Sequence, residues 1–329
     1  MRISDYHLHC LRRFFQGVGS KVAEVLGSPQ SIGEPDCTAL LMVLLRDDSP
    51  LAGALDYSAA VLAQDLGKSG GAAAVSVRFS AHCHNQNFEG STSYADFGVV
   101  VEHDFQNHKS VRAMLVQAKR LYRSETFSVA SRFEHLGREQ LENFQRLVGS
   151  TRSGLYLLYS PMREAFDAAS RSAIDRGERD LLGAGRKPAP DRPGLSFCAP
   201  ELLLQGRRQP SLADLYSLAA LRSGSRFGPG CLLERFDQVM ADGLMSGAVG
   251  TEDQDIVDIA KGLPPGGGGG GPVVPFTLYV HVAEAYADAG AEPGGDENEE
   301  VDAVADADSR VEEGEDEGEA GGTAMEAGA

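Results

Sequence analysis

Apolar residues recur at helical spacing from His9 to Leu26, through Leu11, Phe14, Phe15, Val18, Val22 and Val25, and the run stops at the breaker cluster Gly27-Ser28-Pro29. A second helix is predicted from Glu34-Pro35-Asp36 through Arg46, with Asp36 as N-cap and Leu40, Leu41, Val43 and Leu44 as its apolar face. It ends at Asp47-Asp48-Ser49-Pro50. Residues 51–67 continue the helical pattern. Ala74 to Glu89 fits two descriptions, a buried strand over Val75–Phe79 or a helix running on to Glu89, and the helix is the expectation adopted.

The β signals follow. Phe97 to Phe105 (FGVVVEHDF) is β-branched, Asn107-His108 reads as a turn, and Val111 to Ala118 (VRAMLVQA) is apolar again, which together predict a hairpin. Glu134 to Val148 places Leu136, Leu141, Phe144, Leu147 and Val148 near a 3.6-residue period and predicts an amphipathic helix. Gly154 to Tyr159 (GLYLLY) is a short, nearly all-apolar run that suits a strand buried on both faces. Helix, hairpin, helix and buried strand in that order predict an α/β class with a mixed sheet. Beyond Pro161, helices are predicted over 162–180, 211–222 and 231–242. The run PPGGGGGGPVVP at 264–275 is too glycine-rich for regular structure, and Phe276 to Val282 (FTLYVHV) alternates like one more strand. The resulting division is an α/β core with N-terminal helices over 1–160, a helical elaboration with a glycine-rich loop and a late strand over 161–290, and an acidic tail over 291–329, expected to be disordered.

Charge changes the picture only once it is located. The 329 residues carry a net −18, but the tail holds fifteen acids against Arg310, leaving −4 on the remainder. From Lys109 to Arg235 there are 21 Lys and Arg against 13 Asp and Glu, so the middle of the chain is basic, as a phosphate-tracking surface requires. Five singly placed cysteines (Cys10, Cys37, Cys83, Cys198, Cys231), the lack of a basic-then-apolar N-terminus and the lack of a long apolar run point to a cytoplasmic protein without a disulfide framework.

The hairpin carries the candidate chemistry. Asp96 opens its first strand and Gln117-Ala118-Lys119 closes its second, so these ends lie side by side, with Gln117 and Lys119 on one face and Ala118 on the other. A carboxylate with a neighbouring oxygen acceptor can hold Mg²⁺ or Mn²⁺, and a nearby lysine can serve an attacking water and the phosphate charge. Glu102, further along the same strand, is about 20 Å from Asp96 by strand rise and is too far to share an ion.

The segment Glu89-Gly-Ser-Thr-Ser-Tyr-Ala-Asp96-Phe, followed by Leu115-Val-Gln117-Ala-Lys119-Arg120, resembles the Asp…Gln-x-Lys variant of the PD-(D/E)xK nuclease superfamily, as in Mrr-like restriction endonucleases. The resemblance covers roughly residues 80–160. It implies a restriction-endonuclease-like core and Mg²⁺- or Mn²⁺-dependent phosphodiester hydrolysis of nucleic acid, DNA in the first place, in the setting of defence against foreign DNA. By the same resemblance Asp96 binds the metal, Gln117 stands for the second carboxylate, Lys119 serves the water, and Glu89 is the acid from the preceding helix. Glu34 is a further candidate for that acid, although a carboxylate in a helix's first turn is already explained by the helix dipole. Arg120, Arg123 and Arg152 are the candidate nucleic-acid contacts.

Two other readings stand beside this one. The neutral Gln117 leaves room for a catalytically inactive nuclease-fold module that binds nucleic acid or another partner. Asp5-Tyr-His7-Leu-His9 resembles the amino-terminal Asp-x-His-x-His metal motif of phosphoesterases and amidohydrolases, in which a strand presents the imidazoles, but no later partner motif follows and a helix start explains both histidines. His82-Cys83-His84 is too tightly spaced for one zinc ion, and the glycine run lacks the lysine of a phosphate-binding loop.

Overall fold

Three N-terminal helices, α1 (Asp5–Gly27), α2 (Glu34–Leu45) and α3 (Ala59–Gly67), lie along one face of a mixed sheet in the computed structural model. The structure describes residues 4–28, 32–68, 74–84, 94–105, 108–123, 126–133, 137–149, 153–182, 194–200, 203, 210–215, 233–243, 245, 247, 249–267 and 274–284. Among these, none of the helices is long and apolar enough to cross a membrane.

The strands are β1 (Val75–Cys83), β2 (Phe97–Phe105), β3 (His108–Tyr122), β4 (Arg132–Phe133), β5 (Gly154–Tyr159), β6 (Ser196–Cys198), β7 (Glu234–Arg235) and β8 (Phe276–Glu284). Their order is β1-β8-β2-β3-β5-β6-β7, with β4 on the end of β3. β2 and β3 form the antiparallel hairpin, and α4 (Arg138–Val148) crosses over so that β5 runs parallel to β3. Hairpin, helix and buried strand follow one another as expected, with strand β1 where the preceding helix was expected, and every residue of β5 is buried.

Burial on both faces explains the composition of the central strands. Val99, Val101, Met114, Val116, Leu155, Leu157 and Tyr159 pack toward Phe14, Phe15, Leu41 and Leu62 of α1–α3. Residues of the opposite parity, Val100, Leu115, Tyr156 and Leu158, pack with Phe144 and Val148 of α4 and with Ile256 and Ala260 of α5 (Gln254–Ala260). Gly98 permits that second contact, because a Cβ there would lie 2.5 Å from the Ala260 Cα. Gly98→Ala is therefore expected to destabilise the protein by about 1–3 kcal/mol, read as a lower thermal midpoint.

Three expectations are corrected. Residues 75–83 form strand β1, not a helix: Val75, Val77 and Phe79 are buried and alternate with Ser76, Arg78 and Ser80, a two-residue period that needs a partner to become a strand. That partner is β8, about two hundred residues later, so nothing local signals it. Helix α2 begins at Glu34, and Asp36 sits in its first turn, where its carboxylate accepts from the Gly33 N–H. The helix expected over 231–242 is strand β7 followed by one helical turn, Phe236–Gln238, and a wide turn, Val239–Gly243.

The late strand is central. β8 lies between β1 and β2, antiparallel to the first and parallel to the second, so the segment after the glycine run completes the sheet. Much of the predicted 211–222 helix and all of the acidic tail lie outside the described residues.

Candidate functional site at the open edge of strand β3

Strand β3 outruns its hairpin partner. The β2–β3 ladder ends at Phe97–Val116, with Asp96 N donating to Val116 O at 2.8 Å, while β3 continues to Tyr122 and keeps β5 on its other side as far as Arg120. In a strand the N–H groups of alternate residues point to the same edge. Ala118 and Arg120 therefore direct their N–H groups to the side where β2 has stopped.

Two carboxylates take those places. Asp96 Oδ2 accepts from Ala118 N at 2.6 Å, and Glu34 Oε2 accepts from Arg120 N at 3.0 Å. The two N–H groups are two residues apart, about 7 Å by strand rise, which brings the carboxylates to neighbouring positions along one edge. Glu34 arrives there because it is the first residue of α2, where the helix N-terminus favours a negative charge.

Gln117 and Lys119 project from the face that α4 covers. Gln117 Nε2 donates to Asp96 Oδ2, and Gln117 Oε1 accepts from Gln140 Nε2 of α4 at 3.2 Å. Lys119 Nζ lies 3.1 Å from Glu34 Oε1, with 7% and 12% of the two side chains exposed, so this ion pair is nearly removed from water. The structure thus gathers Asp96, Gln117, Lys119 and Glu34 into one polar cluster, in which Glu34 is the upstream acid among the described residues. Glu89 lies outside the described residues.

Several neighbours were not foreseen. Gln140 gave no sequence signal beyond its place on a polar helix face. Asn143, one turn further on, donates to the Tyr94 hydroxyl at 2.9 Å, and Tyr94 has a φ of 51°, a left-handed backbone that turns the chain into Asp96. Tyr156 pairs in register with Gln117, and its buried hydroxyl has no hydrogen-bond partner among the described residues. Burial, with Cys198, Asp96 and Glu34 adding to it, pushes that phenol well above its ordinary range and keeps it protonated. Burial also pushes the Cys37 thiol on α2 up to about 12, against the opposing pull of Arg120, so it is no nucleophile at neutral pH.

The three candidate nucleic-acid arginines fall in different settings. Arg120 is 5% exposed, with its guanidinium 4.9 Å over the ring of the exposed Tyr122. The half-buried Arg123 stacks 5.5 Å over Phe127. Arg152 lies outside the described residues.

His7 and His9 sit on helix α1 and not on a strand. His7 is buried in a capping box with Ser4, whose Oγ is 3.0 Å from its Nδ1, and His9 is exposed, so the two rings face different surroundings. His84 Nε2 meets Thr277 Oγ1 at 2.7 Å. Burial lowers the pKa of His7, His84 and His103 from the ordinary 6.5, disfavouring their charged forms in the folded chain. Below pH 6.5 the unfolded chain binds protons that the folded one does not, so stability falls with pH in that window. The thermal midpoint is expected to drop from pH 7 to pH 5, and less steeply in His7→Asn; an identical slope would show that His7 does not contribute.

Comparisons of the chain with protein-family models, with curated proteins and with solved structures find no match. Among the described residues there is no group of three or more His, Cys, Asp or Glu side chains placed to hold a metal ion. The cluster offers two carboxylates instead, both hard oxygen donors, while the Gln117 amide turns its nitrogen to Asp96 and its oxygen to Gln140. That set does not fit a zinc centre. It fits Mg²⁺ or Mn²⁺, ions that bind through one or two carboxylates and keep several waters.

Proposed function

We propose that the protein is a Mg²⁺- or Mn²⁺-dependent hydrolase of nucleic-acid phosphodiesters, acting on DNA, with a restriction-endonuclease-like core. The observation that carries this reading is the convergence of Asp96 and Glu34 on successive edge N–H groups of β3, beside Gln117 and Lys119. The resemblance of the Asp…Gln-x-Lys residues to PD-(D/E)xK nucleases and the basic surplus over 109–235 support it.

In this reading Asp96 and Glu34 would hold the cation, which would supply a Lewis acid for the phosphoryl oxygen and lower the pKa of water. Lys119 donates to the non-bridging oxygen on which negative charge grows, a role that its buried setting strengthens. Water adds its oxygen to phosphorus, the bond to one ester oxygen breaks, and that oxygen leaves as a hydroxyl. The Ala118 N–H holds Asp96 in place throughout.

The self-contained hydrogen bonding of the cluster favours one alternative. Asp96, Gln117, Lys119 and Glu34 already satisfy one another, as they would in a purely structural network of a non-catalytic binding module. Supercoiled plasmid incubated with the full chain separates the two readings. Nicked or linear product with Mg²⁺ or Mn²⁺, none with EDTA and none from Asp96→Asn, is the expected result. DNA retention without any cleavage in either metal would establish the non-catalytic module.

A further inference from the structure

We propose that Gln140 is a positioning residue that lets the Gln117 amide turn over when a cation binds, so that the same buried hydrogen-bond chain serves the empty and the loaded site. This rests on the reading of Asp96 as a cation ligand. The observed orientation presents the wrong end of Gln117 to an ion: its Nε2 faces Asp96 Oδ2, and its Oε1 faces Gln140 Nε2 at 3.2 Å. An amide nitrogen cannot ligate a hard cation, whereas an amide oxygen can.

A half-turn of the terminal torsion exchanges oxygen and nitrogen with almost no change in shape. After it, Gln117 Oε1 faces Asp96, and Gln117 Nε2 faces α4. Gln140 can follow, because a glutamine side chain both donates and accepts: it turns its own amide and receives the bond that it formerly gave. The Gln117–Gln140 hydrogen bond survives with its direction reversed. The two bonds that Gln117 Nε2 donates, to Asp96 and to Ala118 O at 3.3 Å, are given up, the first at the place where the cation replaces it. A residue able only to accept would hold Gln117 in the turned state, and an apolar residue would hold neither.

The test is Mn²⁺ affinity of the full chain, measured by titration calorimetry without DNA. Gln140→Glu is expected to tighten binding about tenfold, the factor corresponding to one hydrogen bond's net free energy. The gain should vanish when the same change is made in Gln117→Met, since it acts through the Gln117 amide. An equal gain in both backgrounds would mean that added charge alone is responsible, and no gain would mean that Gln140 does not set the amide; either result overturns the proposal. Side-chain amide resonances of wild-type Gln117, assigned by their loss in Gln117→Met, supply a measurement that needs no Gln140 variant. They are expected to shift on adding Mg²⁺, and unchanged positions at saturation would overturn the proposal. Mn²⁺ binding by wild type that is absent, or insensitive to Asp96→Ala, would instead remove the underlying metal-site reading. Binding lost with Asp96 but indifferent to Gln140 overturns only the amide turn.

Discussion

Lys119→Met is expected to lower the cleavage rate about 10²–10⁴-fold, the range for losing one positioned proton-transfer or charge-stabilising group. It should also destabilise the fold by about 3 kcal/mol, because a buried carboxylate loses its counter-charge. The stem of methionine fills the space of the lysine chain, so packing is little disturbed. Glu34, with 12% of its side chain exposed, would keep the Arg120 N–H but lose the ammonium. Adding Glu34→Gln removes the uncompensated charge while leaving an acceptor for that N–H, so the double variant should recover most of the lost stability. Its activity should stay lost. A double variant that melts like wild type and does not cut would separate the catalytic role of the pair from its structural one; denaturant midpoints and cleavage rates read the two effects side by side.

Asp96→Ala carries the second large effect. Its carboxylate is the acceptor for both Ala118 N–H and Gln117 Nε2, and removing it leaves both donors at a partly buried strand edge. The expected cost is about 2–4 kcal/mol, one to two unsatisfied groups' worth, together with complete loss of cation-dependent cleavage. Asp96→Asn is the milder comparison. Its amide oxygen can still accept from Ala118, so stability should fall less, whereas one negative charge is gone and cation affinity with it. If Asp96→Asn retained wild-type cleavage, Asp96 would be a strand-end cap and not a ligand.

The central elements were legible because their signals are local. The β-branched run of β2, the all-apolar run of β5 and the alternation of β8 each identify a strand from a few neighbouring residues. What was not legible depends on distant partners. The pairing of β1 with β8 joins segments separated by most of the chain, and without it Val75–Cys83 could be taken for a helix. The site divides in the same way. Asp96, Gln117 and Lys119 follow from hairpin geometry, since a strand's alternation fixes which side chains share a face. The acid that joins them among the described residues does not: α2 lies against the sheet and delivers Glu34, whose place at a helix N-terminus by itself explains its charge. Both explanations hold for the same residue, because the helix end that favours Glu34 also aims it at the β3 edge. Gln140 is one of several polar residues on α4, and only the crossover that lays this helix over Gln117 distinguishes it.

The central claim is that the β3-edge cluster cuts phosphodiesters. The most direct measurement is single-turnover cleavage of supercoiled DNA in Mn²⁺ by wild type and by the Glu34→Gln/Lys119→Met double variant, with both confirmed as folded by thermal melting. Metal-dependent conversion of the supercoiled form by wild type, and none by the double variant, is the expected result. Equal conversion by the two proteins would contradict it.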